Sequence, residues 1–140
     1  MAANSRFAMA THIMTALGLR RNEVINSTYL ARSLNTNPVV VRRILGELRK
    51  AGLVHTHAGR SGGSELAQSP QSITLYEIFS AVEDSGLFAY NPNDPNRQCA
   101  LSCEIKSVLT PVFLSVTNAV SERLKGINLA DLIAKLARKM

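Results

Sequence analysis

Cysteine is almost missing from this chain: there are two in 140 residues, at positions 99 and 103. Two thiols cannot supply the three or four thiolates of an iron–sulfur cluster, and in a reducing cytoplasm they are not expected to stay joined as a disulfide. Catalytic spacing is missing too. The sequence has no glycine-rich phosphate loop, no His-Glu-x-x-His pattern and no Ser, His and Asp set tied to a strand–turn–helix, which argues against an enzyme and implies no cofactor. No apolar run approaches the roughly 18 residues needed to span a bilayer. Residues 1–6 lack the charged and apolar regions of a signal peptide, so the expected location is cytoplasmic, with no membrane partner. Low-complexity segments and internal repeats are absent as well.

With 46% hydrophobic and 19% charged residues, the chain suits one soluble domain, or a small domain with an assembly element. The excess charge is placed unevenly. Residues 1–65 hold Arg6, Arg20, Arg21, Arg32, Arg42, Arg43, Arg49, Lys50 and Arg60 against only Glu23, Glu47 and Glu65, a net of +6; residues 66–140 hold seven of each sign. A basic half of this kind suits a phosphate-contacting surface, because each neutralised phosphate releases a counterion.

The basic half also carries the clearest pattern. Residues 27–34 predict a short amphipathic helix with Ser27 as its N-cap, and residues 35–37 a tight turn. Residues 38–51 predict a second helix, with Asn37 as cap, Pro38 at the first helical position and Gly52 after the last turn. Residues 53–57 read as a strand, residues 59–63 as a hairpin tip, and residues 65–67 as the return strand. Helix, turn, helix and hairpin form the order of a winged helix, whose second helix enters a DNA major groove.

Before this motif, Phe7, Ile13, Met14 and Leu17 predict a first helix over residues 5–18, and Val24 and Ile25 a brief strand. After it, Thr74 and Glu77 form a capping box that opens a helix through Ile78, Phe79 and Val82. From Cys99, the apolar positions Ile105, Leu109, Val112, Val116, Ala119 and Leu124 recur at steps near three and four along one long helix. Pro111 is expected to kink or divide that helix after Thr110, and Gly126 to stop it. Asn128 caps a last helix with Leu132, Ile133 and Leu136 on one face. The expected fold is therefore mainly α with a small β-hairpin wing. It comprises a winged helix-turn-helix domain over residues 1–83, a loop over 84–98, and dimerisation helices over 99–140. The six positions from Ile105 to Leu124 form the expected dimer interface of a homodimer, the alternative being an intramolecular cover for the N-terminal domain.

The order of these features resembles the Rrf-two family of bacterial winged-helix transcription regulators, of the IscR, NsrR and CymR type. The resemblance rests on residues 48–54 at the end of the recognition helix, on Gly62, Gly63, Leu66 and Ala67 in the wing, on residues 73–78 with Val82 and Glu83, and on residues 127–132. It implies a dimer joined by the long helix and acting mostly as a repressor. Residues 59–64 depart from the family's usual Gly-Pro-Gly-Gly-Gly-Tyr wing, with Arg60 at the tip and no aromatic. Members that bind a cluster carry three cysteines before the long helix, so two cysteines point to the clusterless subgroup.

Expected DNA contacts follow from helical geometry. If Val41, Ile44, Leu45 and Leu48 face the core, then Val39, Arg43, Gly46 and Lys50 point away, with Val40 and Arg42 on the flanks. Arg43 is the candidate for a bidentate guanine contact, Arg42 is in reach of a base or a phosphate, and Val39 and Val40 are candidates for thymine methyls. Asn37 and the first-turn amides are expected to hold a phosphate, Arg49 and Lys50 the DNA backbone, and Arg60 a narrow minor groove. Thr28, Ser61 and Gly62 complete the set, and double-stranded DNA is the expected partner. Glycines 59, 62 and 63 are expected to use positive φ or close backbone approach. His55 and His57 face one side of a strand, toward either phosphate or solvent, and His12 is structural.

Cys99 and Cys103 fall at the loop-to-helix junction. Three readings are open for them: packing residues, a thiol sensor for a small oxidant or electrophile in which Cys99 reacts and Cys103 resolves or packs, and part of a metal site completed by other ligands. The competing functions for the whole chain are a winged helix used only for protein–protein assembly and a metal or iron–sulfur sensor. An assembly module would have no need for basic charge in the N-terminal half alone.

Overall fold

The computed structural model describes residues 5–83 and 86–140. Met1 to Asn4 of the expected first domain, and Asp84 and Ser85 at the expected loop boundary, lie outside the described residues. Six helices and one hairpin follow in order: α1 (Arg6–Leu19), α2 (Ser27–Leu34), α3 (Pro38–Lys50), β1 (Val54–His57), β2 (Gly63–Leu66), α4 (Leu75–Val82), α5 (Ala100–Lys125) and α6 (Leu129–Lys139), with a 3-10 turn at Pro70–Ser72. The architecture is a mainly helical winged helix with a long C-terminal helix, as the sequence pattern predicts.

Local chemistry sets the boundaries. Asn26, not Ser27, caps α2: its Oδ1 accepts the Tyr29 amide at 2.8 Å. Either residue suits the position, and the extended backbone at Asn26 decides. Asn35 ends α2 in the left-handed conformation, at φ 54°. Gly52, at φ 78°, ends the turn after α3. Thr74 and Glu77 form the expected capping box, and Asn128 with Asp131 forms a second one.

The core joins α1, α3, the hairpin, α4 and the start of α6. Ile13, Met14, Leu30, Val41, Ile44, Leu48, Ile73, Ile78 and Leu129 are fully buried within it. The strands pair antiparallel in the register Val54 with Leu66 and His57 with Gly63. Ile25 adds an isolated bridge to Ser64, its amide donating to the Ser64 carbonyl at 3.0 Å. This fixes the wing to the segment before α2.

Two features differ from expectation. First, α6 is not only an assembly helix. Leu75 N donates to Ile127 O at 2.9 Å and Leu129 N to Ile73 O at 2.8 Å, so α6 returns to the core and packs on α1, where Gly18 leaves room for Ile133. Second, of the two outcomes expected at Pro111, kinking or division, division does not occur: α5 continues through it as one helix. The carbonyl deprived of its partner belongs to Ser107, and both residues are exposed, so water can satisfy it.

None of the residues in α5 is buried. By length and composition it could cross a membrane, with an 18-residue window of mean hydropathy 1.3. The serines, threonines and asparagine that interrupt the apolar run do not lower the average enough to exclude this. Its environment argues otherwise. The helix packs against α4, Lys125 lies over the Tyr76 ring at 4.8 Å, and the next residues are bonded into the core. One side is covered by the preceding loop: Phe88 stacks on Phe113 with centroids 4.7 Å apart, and the Tyr90 hydroxyl donates to Thr110 Oγ1 at 3.1 Å.

Candidate nucleic-acid interface

Helix α3 buries Val41, Ile44, Leu45 and Leu48 and presents Val39, Arg42, Arg43, Arg49 and Lys50 to solvent. Val39 is 54% exposed, which is costly for an isolated valine unless something covers it. The three acids of this half are all engaged away from these cations: Glu47 pairs with Arg6, Glu23 with Arg20, and Glu65 with His57. The hydrogen bond from Arg20 to Glu23 also raises the Arg20 guanidinium above its usual range. Glu47 is the only acid on α3, and Arg6 draws it to the core side, a pairing between residues 41 positions apart that no local sequence signal announces. Among the described residues no carboxylate pairs with Arg42, Arg43, Arg49, Lys50 or Arg60.

A cleft of about 270 Å³ lies between α3, the start of α2 and the wing; Ser27, Arg42, Thr56, His57, Gly59 and Arg60 line it. Two guanidiniums from separate elements thus border one space, large enough for a phosphodiester. Ser27 and Thr56 were not among the expected contacts, and His57 takes up the phosphate alternative left open for it. Alternation along β1 puts His55 and His57 on the same side, but only the fold brings His57 to the cleft. Its Nε2 lies 2.9 Å from Glu65 Oε2. A larger apolar groove of about 770 Å³ lies between α1, α2 and α6, away from the arginine face. His12 lies at its rim, with Nε2 2.8 Å from Ser33 Oγ.

Three expected contacts are corrected. The first-turn amides of α3 are already engaged, with Val39 N on Asn37 Oδ1 at 2.8 Å and Val40 N on Asn37 O at 3.0 Å. Pro38 has no N–H, so of the expected phosphate seat only the Asn37 side-chain amino group remains. Val40 is half-buried and packs on the core, so only part of its side chain is left for the expected groove contact. Gly62 is half-buried, and a Cβ there would meet the His57 and Gly59 carbonyls; at Gly63 it would meet the backbone of Ile25. These two glycines close the hairpin, and only Gly59 takes a positive φ, 97°. Thr28, Ser61 and Arg60 are exposed.

Cys99 is half-buried at the N-cap of α5, and Cys103, one turn on, is exposed with Sγ 3.5 Å from Asn96 O. On α5, Ile105, Val112, Val116 and Ala119 share one exposed stripe with Leu101 and Val108. Leu109 lies at its half-buried edge. Leu124 is half-buried and lies about 100° round the helix from Ile105, off the line of the exposed stripe.

Comparison with known proteins agrees with this geometry. Residues 3–135 match the Rrf2 family, described as iron-dependent transcriptional regulators. The chain is 38% identical to YwnA of Bacillus subtilis, a candidate HTH-type transcriptional regulator, over 95% of this chain and 98% of that protein. It superposes on the solved structure of a candidate DNA-binding protein with a TM-score of 0.74 and 33% identity, covering 92% of this chain and 99% of that one. A candidate transcriptional regulator from Lactobacillus plantarum gives a TM-score of 0.81 at 26% identity, covering 95% and 90%.

The iron in the family description does not fit the donors of a single chain. Cys99 and Cys103 are its only thiols, and among the described residues no three His, Cys, Asp or Glu side chains gather into a ligand group. The fold, the arginine face and these likenesses agree on one assignment. The chain belongs to the Rrf2 family and is a helix-turn-helix transcriptional regulator, not an enzyme.

Proposed function

We propose that the protein is a cytoplasmic, dimeric repressor that reads a two-fold operator with α3 and the wing, and that thiol chemistry at Cys99 and Cys103 tunes its affinity. The observation that carries the DNA reading is the face of five cations, Arg42, Arg43, Arg49, Lys50 and Arg60, that no carboxylate pairs among the described residues, with every acid of that half paired elsewhere. Arg43 supplies base discrimination. Arg42 and Arg60 hold a phosphate in the cleft they share, with Arg60 reaching onward to the minor groove, and Arg49 and Lys50 position the duplex.

The exposed stripe of α5 supports the dimer. Leu101, Ile105, Val108, Val112 and Val116 are each between 42% and 69% exposed, a continuous apolar surface that a second copy would cover. The cysteines support modulation by position, since they stand where the loop after α4 enters this helix. The more accessible thiol is Cys103, so it is the first site of attack, with Cys99 as the resolving or packing partner. A change there need favour the DNA-incompetent arrangement by only about 1.4 kcal/mol to lower affinity tenfold. This belongs to the clusterless branch of the family.

The test is binding to a genomic fragment library with reduced and peroxide-treated protein side by side. The expected result is one enriched palindromic site whose occupancy falls on oxidation in wild type and persists in Cys103→Ser. Enrichment without a shared site would refute sequence-specific readout. Release of the serine variant at the same peroxide dose would make the cysteines structural.

A further inference from the structure

We propose that Gly46 sets how deeply α3 seats in the major groove, as a positioning residue at the centre of the recognition face. The inference rests on the DNA reading above and adds a residue to it. Gly46 lies inside a 13-residue helix, where glycine is less favourable than alanine. A Cβ built there meets nothing within 4 Å, and its φ is not positive. The fold therefore gives no reason for glycine, in contrast to Gly62 and Gly63, where a Cβ would strike backbone.

Its position suggests the reason. At about 100° per residue, the Cβ vector of residue 46 falls within about 20° of that of Val39, and between those of Arg42 and Arg43. Val39 is the most exposed apolar side chain of α3, and the arginines stand on either side, both exposed. From Val39 to Gly46 the midline of the face is thus small, with long cationic side chains on either side, and Lys50 follows one turn beyond Gly46. A helix with that profile can bring its backbone close to the base-pair edges while the arginines reach past it to a guanine and the phosphates. A methyl at position 46 would stand between the helix and the groove floor and hold the arginines back.

The experiment compares wild type, Gly46→Ala and Gly46→Val. The probes are a duplex that wild type selects from a randomised library and a scrambled duplex of the same length. Gly46→Ala is expected to melt no lower than wild type, because the added methyl clashes with nothing and alanine favours the helix. Its affinity for the selected duplex should fall about tenfold, the scale of one disturbed bidentate contact, with a larger fall for valine. Binding to the scrambled duplex at low salt should change much less, since phosphate contacts tolerate a shallower seat. If Gly46→Ala binds the selected duplex like wild type, or melts clearly lower, the inference is overturned while the DNA reading stands. If wild type selects no duplex, both are overturned.

Discussion

At the residue scale, two substitutions separate readout from positioning. Arg43→Ala should cost about 1–3 kcal/mol on the selected site and relax preference at one G·C pair, whereas Lys50→Ala should weaken all sequences alike. Competition binding against single-base variants checks this, and equal losses on selected and scrambled DNA for Arg43→Ala would remove its assignment. A second prediction concerns the wing. Gly63→Ala would drive a methyl into the backbone of Ile25, so the Ile25–Ser64 bridge should open and the melting temperature should fall even though glycine to alanine is usually benign. The arginines of α3 were legible in the sequence, because core periodicity fixes the opposite face. The amides of its first turn were misjudged. Asn37 and Pro38 each mark a helix start correctly, but together they leave no free backbone N–H in the first turn of α3.

At the element scale, α5 and α6 part company. The stripe on α5 predicts that Val116→Glu yields monomers, because each dimer would otherwise bury two unpaired carboxylates at a cost of several kcal/mol. Sedimentation velocity decides: a variant that stays dimeric places the interface elsewhere. Helix α6 makes a different prediction. Leu129 is fully buried among residues of α1 and the turn before α4, so Leu129→Ala should destabilise the fold itself by about 2–5 kcal/mol in denaturant titration. Period-3.6 spacing revealed both helices, and the Gly126 and Asn128 boundary between them. It could not say which apolar face meets the protein's own core and which is left over, as Leu124 shows. That choice depends on the Ile73 carbonyl accepting from Leu129 N and the Ile127 carbonyl from Leu75 N, and on Phe88 and Tyr90 folding back on α5, contacts between segments that the sequence shows only as separate positions.

At the scale of the whole molecule, charge is sorted before DNA arrives. Arg6, Arg20 and His57 hold the acids of the basic half; of the cations left over, Arg21 donates to the Gln68 carbonyl, Arg32 lies on α2, and the other five lie on α3 and the wing tip. The charge imbalance was legible in the sequence, but the sorting was not, because Arg6 and Glu47 meet only once α1 crosses α3. The most direct test of the account is the salt dependence of binding to a duplex of about 25 base pairs, long enough for two half-sites roughly one helical turn apart. With four or five phosphates neutralised by each protomer, log K against log salt should fall with a slope of roughly −4 per protomer, and Arg42→Ala and Arg60→Ala should each make it shallower by about 1. A slope near zero, or one unchanged by both substitutions, would contradict the account.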